Sequence, residues 1–189
     1  IFWWEWAHRF LGRVIGISFL LPLIYFSFKL DLKKLINLYI IFILICFQGF
    51  IGWYMVSSGL VNRIDVSHFR LAIHLLIAFV ILSLIFWNYL KFKDIYSSKD
   101  KINMIYPLLL LVLIFGQIAI GAFVSGMDAG KIYNSWPLMG TTYFPNDNNF
   151  TDLFLISVFS DPSLVQFIHR NLAYLILIYY AFILVKIFR

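Results

Sequence analysis

Long apolar stretches alternate with short polar ones along the chain. Five of the apolar stretches approach the roughly 20 residues that an α-helix needs to cross the hydrocarbon core of a bilayer. They cover residues 7–28, 35–56, 69–90, 104–126 and 164–186. This pattern predicts an all-α fold, a polytopic bundle with five transmembrane helices in these residues.

The composition indicates an integral membrane protein. Hydrophobic residues make up 62% of the 189 residues and charged residues 13%, whereas a soluble domain is nearer half apolar and a quarter charged. We expect membrane lipid around the chain and no nucleic-acid partner, despite a net charge of +6. The single cysteine, Cys46, excludes an intramolecular disulfide and a cysteine-based metal site. Because the chain opens at Ile1, already inside an apolar stretch and without a signal peptide, we interpret it as a fragment of a longer bundle.

The charges of the polar segments predict the orientation. Basic residues follow the first, third and fifth stretches: Lys29, Lys33, Lys34, Lys91, Lys93, Lys99, Lys101, Lys186 and Arg189. The two other segments carry Arg63 and Lys131 beside five aspartates, Asp65, Asp128, Asp147, Asp152 and Asp161. By the positive-inside rule the lysine-rich segments face the cytoplasm, or the matrix in an organelle. The first, third and fifth helices therefore begin at the outer surface.

Three histidines, His8, His74 and His169, lie near the outer starts of these three helices. At 1.5 Å per residue all of them would lie roughly 8–10 Å below the outer surface, which predicts a layer of ligands. Each is followed four residues later by a small residue on the same face of the helix. This would leave room for the edge of a porphyrin. Imidazoles from facing helices hold haem iron in helical bundles, and His8 and His74 could share one iron. Zinc is less suitable, because Glu5 is the only carboxylate near this layer.

Four charged residues at the outer mouth are further candidates. Glu5, three residues before His8, could accept protons or stabilise positive charge at the edge of a macrocycle. The alternative is an ion pair between Glu5 and Arg9, four residues apart on one helix. Arg9, Arg70 and Arg170 could donate bidentate hydrogen bonds to haem propionates, or they could extend towards lipid headgroups.

Parts of the sequence repeat. The segment His8-Arg9-Phe10-Leu11 resembles His169-Arg170-Asn171-Leu172, and Gln48…Gly52 resembles Gln117…Gly121. Such repeats in a membrane bundle suggest two related halves.

The long outer segment 127–163 contains a short apolar stretch. We predict an interfacial helix over residues 153–159, capped by Thr151; the alternative is an ordinary packed loop. We interpret His68, on a different side of its helix from His74, as structural.

Six segments together resemble the haem A synthases of aerobic bacteria and mitochondria. They are residues 2–9 (FWWEWAHR), 13–16 (RVIG), 52–60 (GWYMVSSGL), 65–75 (DVSHFRLAIHL), 128–139 (DAGKIYNSWPLM) and 165–171 (VQFIHRN). They occur in the family's order across nearly the whole chain. Outer segments without paired cysteines are more similar to the proteobacterial and mitochondrial branch.

The resemblance implies eight helices in two four-helix halves, of which this chain supplies the second to the sixth. Residues 1–92 would belong to the half that binds the substrate haem O between His8 and His74. Residues 93–189 would begin the half that holds a haem B cofactor between His169 and a histidine beyond this chain. Glu5 would be the essential carboxylate that serves oxidation of the C8 methyl group of haem O to a formyl group, which gives haem A for cytochrome oxidase.

The same resemblance implies a cellular setting. It places the protein in the bacterial inner membrane, with the histidine layer near the periplasmic side, or in the mitochondrial inner membrane of a eukaryote. Haem O synthase, cytochrome oxidase assembly proteins and a second copy of the chain are the partners that it suggests.

Two alternatives belong to other classes of protein. The chain could be part of a di-haem b-type electron-transfer subunit or of a haem carrier, with no chemistry on the haem itself. The residues around the histidines favour the enzyme, because Glu5 precedes His8 by three residues whereas Gln166 has this place before His169. An amide does not exchange protons, so one half would be reactive and the other supporting.

Overall fold

The computed structural model describes residues 2–59, 66–93 and 103–188. These residues form five α-helices, each long and apolar enough to cross a membrane. They are α1 (Phe2–Ser27), α2 (Leu32–Gly59), α3 (His68–Phe92), α4 (Ile105–Gly126) and α5 (Pro162–Phe188). The prediction of an all-α membrane protein with five spans is confirmed.

The start of α5 is fixed by a local sequence signal. Proline at the first helical position suits a helix start, because its missing N–H would have no partner within the helix there. The preceding residue, Asp161, accepts a hydrogen bond from the backbone N–H of Leu164 at 2.9 Å. This carboxylate therefore caps α5, the helix on which His169 lies eight residues later.

Two compact units share the chain, and α3 contributes to both. The first unit comprises the described parts of residues 1–57 and 77–96, so it contains α1, α2 and the later turns of α3. Within it the hydroxyl of Ser27, at the end of α1, lies 2.7 Å from the hydroxyl of Tyr39 on α2, and the rings of Phe19 and Phe42 stack. An apolar cavity of about 360 Å³ lies beside Pro22 and Leu38.

The second unit comprises the described parts of residues 58–76 and 97–189, namely the first turns of α3 with α4, α5 and the segment that joins them. Its core consists of Ala72, Ile120, Ala122, Phe123 and Val165, contributed by all three helices.

His68 and Gly126 show how closely α3 and α4 approach in the second unit. A β-carbon on Gly126 would lie 2.8 Å from the β-carbon of His68, so a side chain at this position would force the helices apart. The imidazole of His68 packs edge-on against Phe123. These contacts agree with the structural interpretation of His68.

The segment between α4 and α5 differs from the prediction. A single helix over residues 153–159, capped by Thr151, is wrong, because two short 3-10 helices, Phe150–Phe154 and Ile156–Ser160, occupy this region. Leu155 between them is extended. The first begins instead at Asn149, whose backbone N–H donates to the carboxylate of Asp152 at 2.8 Å. The capping residue is thus Asn149 and not Thr151, and the extended backbone of Leu155 prevents one continuous helix.

Candidate functional site

The three candidate histidines lie on three different helices. His74 on α3 and His169 on α5 each lie about two turns after the first residue of their helix, and His8 lies on α1. His8 is exposed, whereas His74 and His169 are partly buried. The predicted layer of histidines and its assembly around haem stay predictions.

Glu5 and Arg9 form an ion pair on α1. A guanidinium nitrogen of Arg9 donates to a carboxylate oxygen of Glu5, and about half of each side chain is exposed. This is the arrangement weighed as an alternative to a catalytic role. Exposed ion pairs within one helix contribute little to stability.

The imidazole of His169 lies against α4. A β-carbon on Gly121 would be 3.1 Å from the Cε1 atom of the ring, closer than side chains normally pack. One turn earlier on α4, the side-chain amide nitrogen of Gln117 lies 3.3 Å from Nε2 of His169 and 3.2 Å from its backbone oxygen. The repeat Gln117…Gly121 drew attention to both residues in the sequence, but the spacing alone assigned them no function.

The role of His169 as an axial haem ligand stays a prediction. The described residues contain no group of three or more His, Cys, Asp or Glu side chains that could hold a metal ion. A haem needs only one imidazole from each of two helices, since the porphyrin supplies the other donors. Within the described part of the chain, Nδ1 of His169 is buried and has no hydrogen-bond partner.

Arg170, the neighbour of His169, holds the segment between α4 and α5. Its guanidinium donates to the backbone oxygens of Tyr133 at 2.6 Å and Ser135 at 2.8 Å. A weaker bond reaches the backbone oxygen of Leu138 at 3.4 Å. The predicted propionate contact of Arg170 would therefore have to share the guanidinium with these carbonyl groups.

Side-chain hydrogen bonds tie the same segment to α5. The amide of Gln166 also donates to the backbone oxygen of Tyr133, at 2.9 Å. Trp136 donates through its indole nitrogen to the hydroxyl of Tyr174 at 2.6 Å, and the hydroxyl of Tyr143 donates to the side chain of Asn171 at 2.5 Å. Tyr133 and Trp136 belong to the segment 128–139 that carried part of the family resemblance, but sequence reasoning gave them no role.

Asp147 joins this segment to the first turn of α5. Its carboxylate accepts hydrogen bonds from the hydroxyls of Tyr133 at 2.8 Å and Ser163 at 2.6 Å. Burial alone would raise the pKa of Asp147, but the hydrogen bonds from Ser163 and Tyr133 outweigh it and lower the pKa. The hydrogen bond to the carboxylate raises the pKa of Tyr133. The charged acid and the neutral phenol therefore stabilise each other.

On α3, His74 and Arg70 lie on either side of Ala72 in the sequence. Ala72 is buried in the core of the second unit, and both neighbours are partly buried. The packing of Ala72 in this core therefore holds the first turns of α3 in place, and with them His74 and Arg70. Their roles towards haem stay predictions.

Comparison with known proteins identifies the family. The model of the COX15-CtaA cytochrome oxidase assembly proteins matches residues 1–189. Heme A synthase of Pelagibacter ubique is 51% identical over 181 residues, which are 95% of this chain and 54% of that protein.

Two further relatives agree. Heme A synthase of Rickettsia bellii is 48% identical over 179 residues, 90% of this chain and 52% of that protein. Heme A synthase of Agrobacterium fabrum is 44% identical over 178 residues, 92% of this chain and 49% of that protein. No solved structure matches the chain. The chain spans about half the length of these curated relatives, and it belongs to the COX15-CtaA family of cytochrome oxidase assembly proteins.

Proposed function

We propose that the protein, at its full length, is a haem A synthase that oxidises the C8 methyl group of haem O to a formyl group. The haem A formed would serve cytochrome oxidase. The observation that carries this proposal is the identity of 44–51% with three proteins named heme A synthase, over at least nine-tenths of the chain. The location of His8, His74 and His169 on three helices that are long and apolar enough to cross a membrane supports it.

Each candidate residue has a proposed role. His8 and His74 would be the axial ligands of the substrate haem O, and His169 would be one ligand of a haem B cofactor. Arg9, Arg70 and Arg170 would contact propionates at the outer mouth. Haem B, when bound, would supply the redox chemistry, and the helices would exclude bulk water from both haems.

Glu5 would handle protons and charge. Conversion of a methyl to a formyl group takes up the oxygen atom of a water molecule and releases four protons and four electrons, and the electrons pass to an acceptor outside this chain. Positive charge develops near the edge of the macrocycle as this happens. A carboxylate one helical turn from the ligand His8 could stabilise this charge and accept a proton. In the structure Arg9 donates to this carboxylate, so the catalytic role requires Glu5 to release Arg9.

The contrast between Glu5 and Gln166 supports an enzyme over an electron carrier. Both residues precede a candidate ligand by three positions. Gln166 is buried and donates to a backbone oxygen in the segment before α5, whereas Glu5 is exposed and charged. A carrier with two equivalent haem sites would have no need for this difference, so we assign chemistry to the half that contains Glu5.

The proposed setting is the inner membrane of a bacterium, with the histidines near the periplasmic side. The charges of the polar segments support this orientation. Haem O synthase, which would deliver the substrate, and assembly proteins of cytochrome oxidase are the proposed partners, and self-association is a further proposal.

Haem analysis tests the function. The full-length protein is expressed with a haem O synthase and purified, and its haems are extracted and separated by chromatography. We expect haem B together with haem O and haem A. Haem B alone, with no haem A in the membranes, would favour the alternative of a b-type electron-transfer subunit.

A further inference from the structure

The cavity of the first unit lies towards the end of α1 that is farthest from His8. Its volume is about 360 Å³, within the range of roughly 300–1,000 Å³ that is usual for sites that bind small molecules. Apart from the hydroxyl group of Ser18, the side chains that line it are apolar. Leu38, near the start of α2, and Phe92, at the end of α3, line it from the two neighbouring helices.

The cavity lies on the face of α1 that carries His8. Steps of three or four residues keep successive positions on one face of a helix. From His8, such steps lead along α1 through Gly12, Gly16, Phe19 and Leu23. The last two of these residues line the cavity. One continuous face of α1 therefore joins the candidate ligand to the cavity.

The surroundings of this face change between its two ends. A β-carbon on Gly12 or Gly16 would meet no atom of the described residues within 4 Å, apart from the neighbouring backbone of α1. Farther along, Leu23 is only 3% exposed, and the ring of Phe19 stacks on Phe42 of α2. The first unit is therefore open beside the two glycines and closely packed around the cavity.

The separation between His8 and the cavity suits a flat ligand with a long apolar tail. At 1.5 Å per residue, the cavity-lining residues Ser18 and Phe26 lie about 15 Å and about 27 Å along α1 from His8. Haem O carries a farnesyl chain, attached through a hydroxyethyl group at the edge of the macrocycle opposite the propionates. With the propionates at the outer mouth, this edge faces the cavity, and an extended farnesyl chain is long enough to enter it.

We propose that this cavity holds the farnesyl tail of haem O, with the macrocycle beside Gly12 and Gly16. The inference rests on the proposed function, because it takes haem O as the substrate and His8 as its ligand. Lipid chains are as apolar as the tail, so hydrophobicity alone gives the cavity no advantage over the membrane. The cavity contributes shape instead. A tail held there fixes the rotation of the macrocycle, and with it the position of the C8 methyl group relative to Glu5.

Ser18→Phe tests the cavity, because a ring at this position fills part of it. The full-length wild type and variant are each expressed with a haem O synthase, and the haems extracted from equal amounts of protein are separated. We expect the sum of haem O, haem A and hydroxylated intermediates, relative to haem B, to fall at least about 10-fold in the variant, the usual scale of a misfit in an apolar pocket.

Ile17→Phe is the matched control. Ile17 lies nine residues after His8 and thus on the opposite face of α1, where its side chain is 56% exposed. This variant should keep the wild-type ratio of farnesylated haem to haem B. Equal ratios in Ser18→Phe and Ile17→Phe would overturn the proposal.

A photo-crosslink identifies the occupant of the cavity without a change at Ser18. Benzoylphenylalanine takes the place of Phe92, and on irradiation its ketone carbon bonds to a nearby carbon whose hydrogen moves to the ketone oxygen. We expect mass spectrometry to show adducts of haem O or haem A on the peptide that contains residue 92. In protein whose extract contains these haems, an adduct with phospholipid alone, or no adduct, would overturn the proposal.

The outcomes separate this inference from the proposed function. If the wild type contains neither haem O nor haem A, the proposed function is refuted and the inference falls with it. If the wild type contains haem A but Ser18→Phe behaves as Ile17→Phe does and no haem adduct forms, only the tail site is refuted. If a haem O adduct forms in protein that makes no haem A, the tail site stands and the proposed activity is refuted.

Discussion

Gly121 lies against the imidazole of His169 so closely that a β-carbon at this position would be 3.1 Å from Cε1 of the ring. A glycine is needed here because of space, since the residue lies in a regular helix. One further methyl group must push either the ring or α4 aside. The contact therefore links the packing of α4 to the position of the proposed cofactor ligand.

The first prediction follows from this contact. Gly121→Ala should destabilise the protein by about 1–3 kcal/mol, the usual effect of overpacking, and should lower the haem B content of the purified protein. Gly116→Ala, on the same helix, is the control because a β-carbon there would lie 3.7 Å from Leu172, an ordinary contact. Equal haem B content and equal melting temperatures in the two variants would contradict the close packing of His169 on α4.

The second prediction concerns Arg170. Lysine keeps the charge but lacks the planar group that reaches two carbonyl oxygens at once. If the arginine mainly holds the segment before α5, Arg170→Lys and Arg170→Ala should both increase proteolysis of residues 127–161 several-fold. If it mainly binds a propionate, the lysine variant should keep much of its haem B and a protected segment. Proteolysis and haem content of both variants, measured side by side, decide between these roles.

The third prediction is a pH dependence of the same segment. The pKa of Asp147 is lowered, so its contribution to stability is present above the ordinary carboxyl value and is lost as the pH falls through the lowered pKa. The pKa of Tyr133 is raised, so its contribution is present below the ordinary phenol value of 10.0 and is lost as the pH rises through the raised pKa. The attachment of this segment to α5 through Asp147 should therefore hold at neutral pH and loosen at both acid and alkaline extremes.

Asp147→Asn tests this dependence, because the amide has no charge to lose. Proteolysis of residues 127–161 by an acid-active protease should accelerate in the wild type below the ordinary carboxyl range. In the variant it should be faster at neutral pH and should change less with acid. A wild type that shows no such acceleration would exclude the carboxylate as the attachment point.

The fourth prediction is topological. In a Cys46→Ser background, Thr141→Cys should react with a membrane-impermeant maleimide added to intact cells or spheroplasts, whereas Lys93→Cys should react only after permeabilisation. The reason is the excess of lysine in the segment that contains Lys93. Labelling of both positions from the same side would overturn the orientation of the helices and the outer position of the histidines.

The sequence was sufficient for the spans but not for the contacts between them. Runs of about 20 apolar residues have few alternatives to a membrane helix, so five helices could be predicted. The 3-10 helices at Phe150–Phe154 and Ile156–Ser160 were missed because a local hydrogen bond at Asn149 decides their start. The bonds of Arg170 and Gln117 join residues far apart in the sequence, and they depend on the packing of α4 on α5.

The enzyme and carrier hypotheses differ most in the role that they assign to Glu5. Glu5→Gln keeps the size of the side chain but removes its charge and its ability to exchange protons. The variant should fold and bind haem as the wild type does, yet lose about 10²–10⁴-fold in rate, as is typical for a group that transfers protons. Arg13→Gln, which changes a charge further along α1, is the control and should form haem A normally.

The most direct test of the proposed haem A synthase activity is the amount of haem A formed by full-length wild-type protein and by Glu5→Gln, each expressed with a haem O synthase. Haems are extracted from equal amounts of purified protein and separated by chromatography. We predict haem A in the wild type, and in the variant haem O or a hydroxylated intermediate with undiminished haem B. Haem A at the wild-type level in Glu5→Gln would contradict the catalytic role of Glu5, and absence of haem A from the wild type would contradict the proposed function.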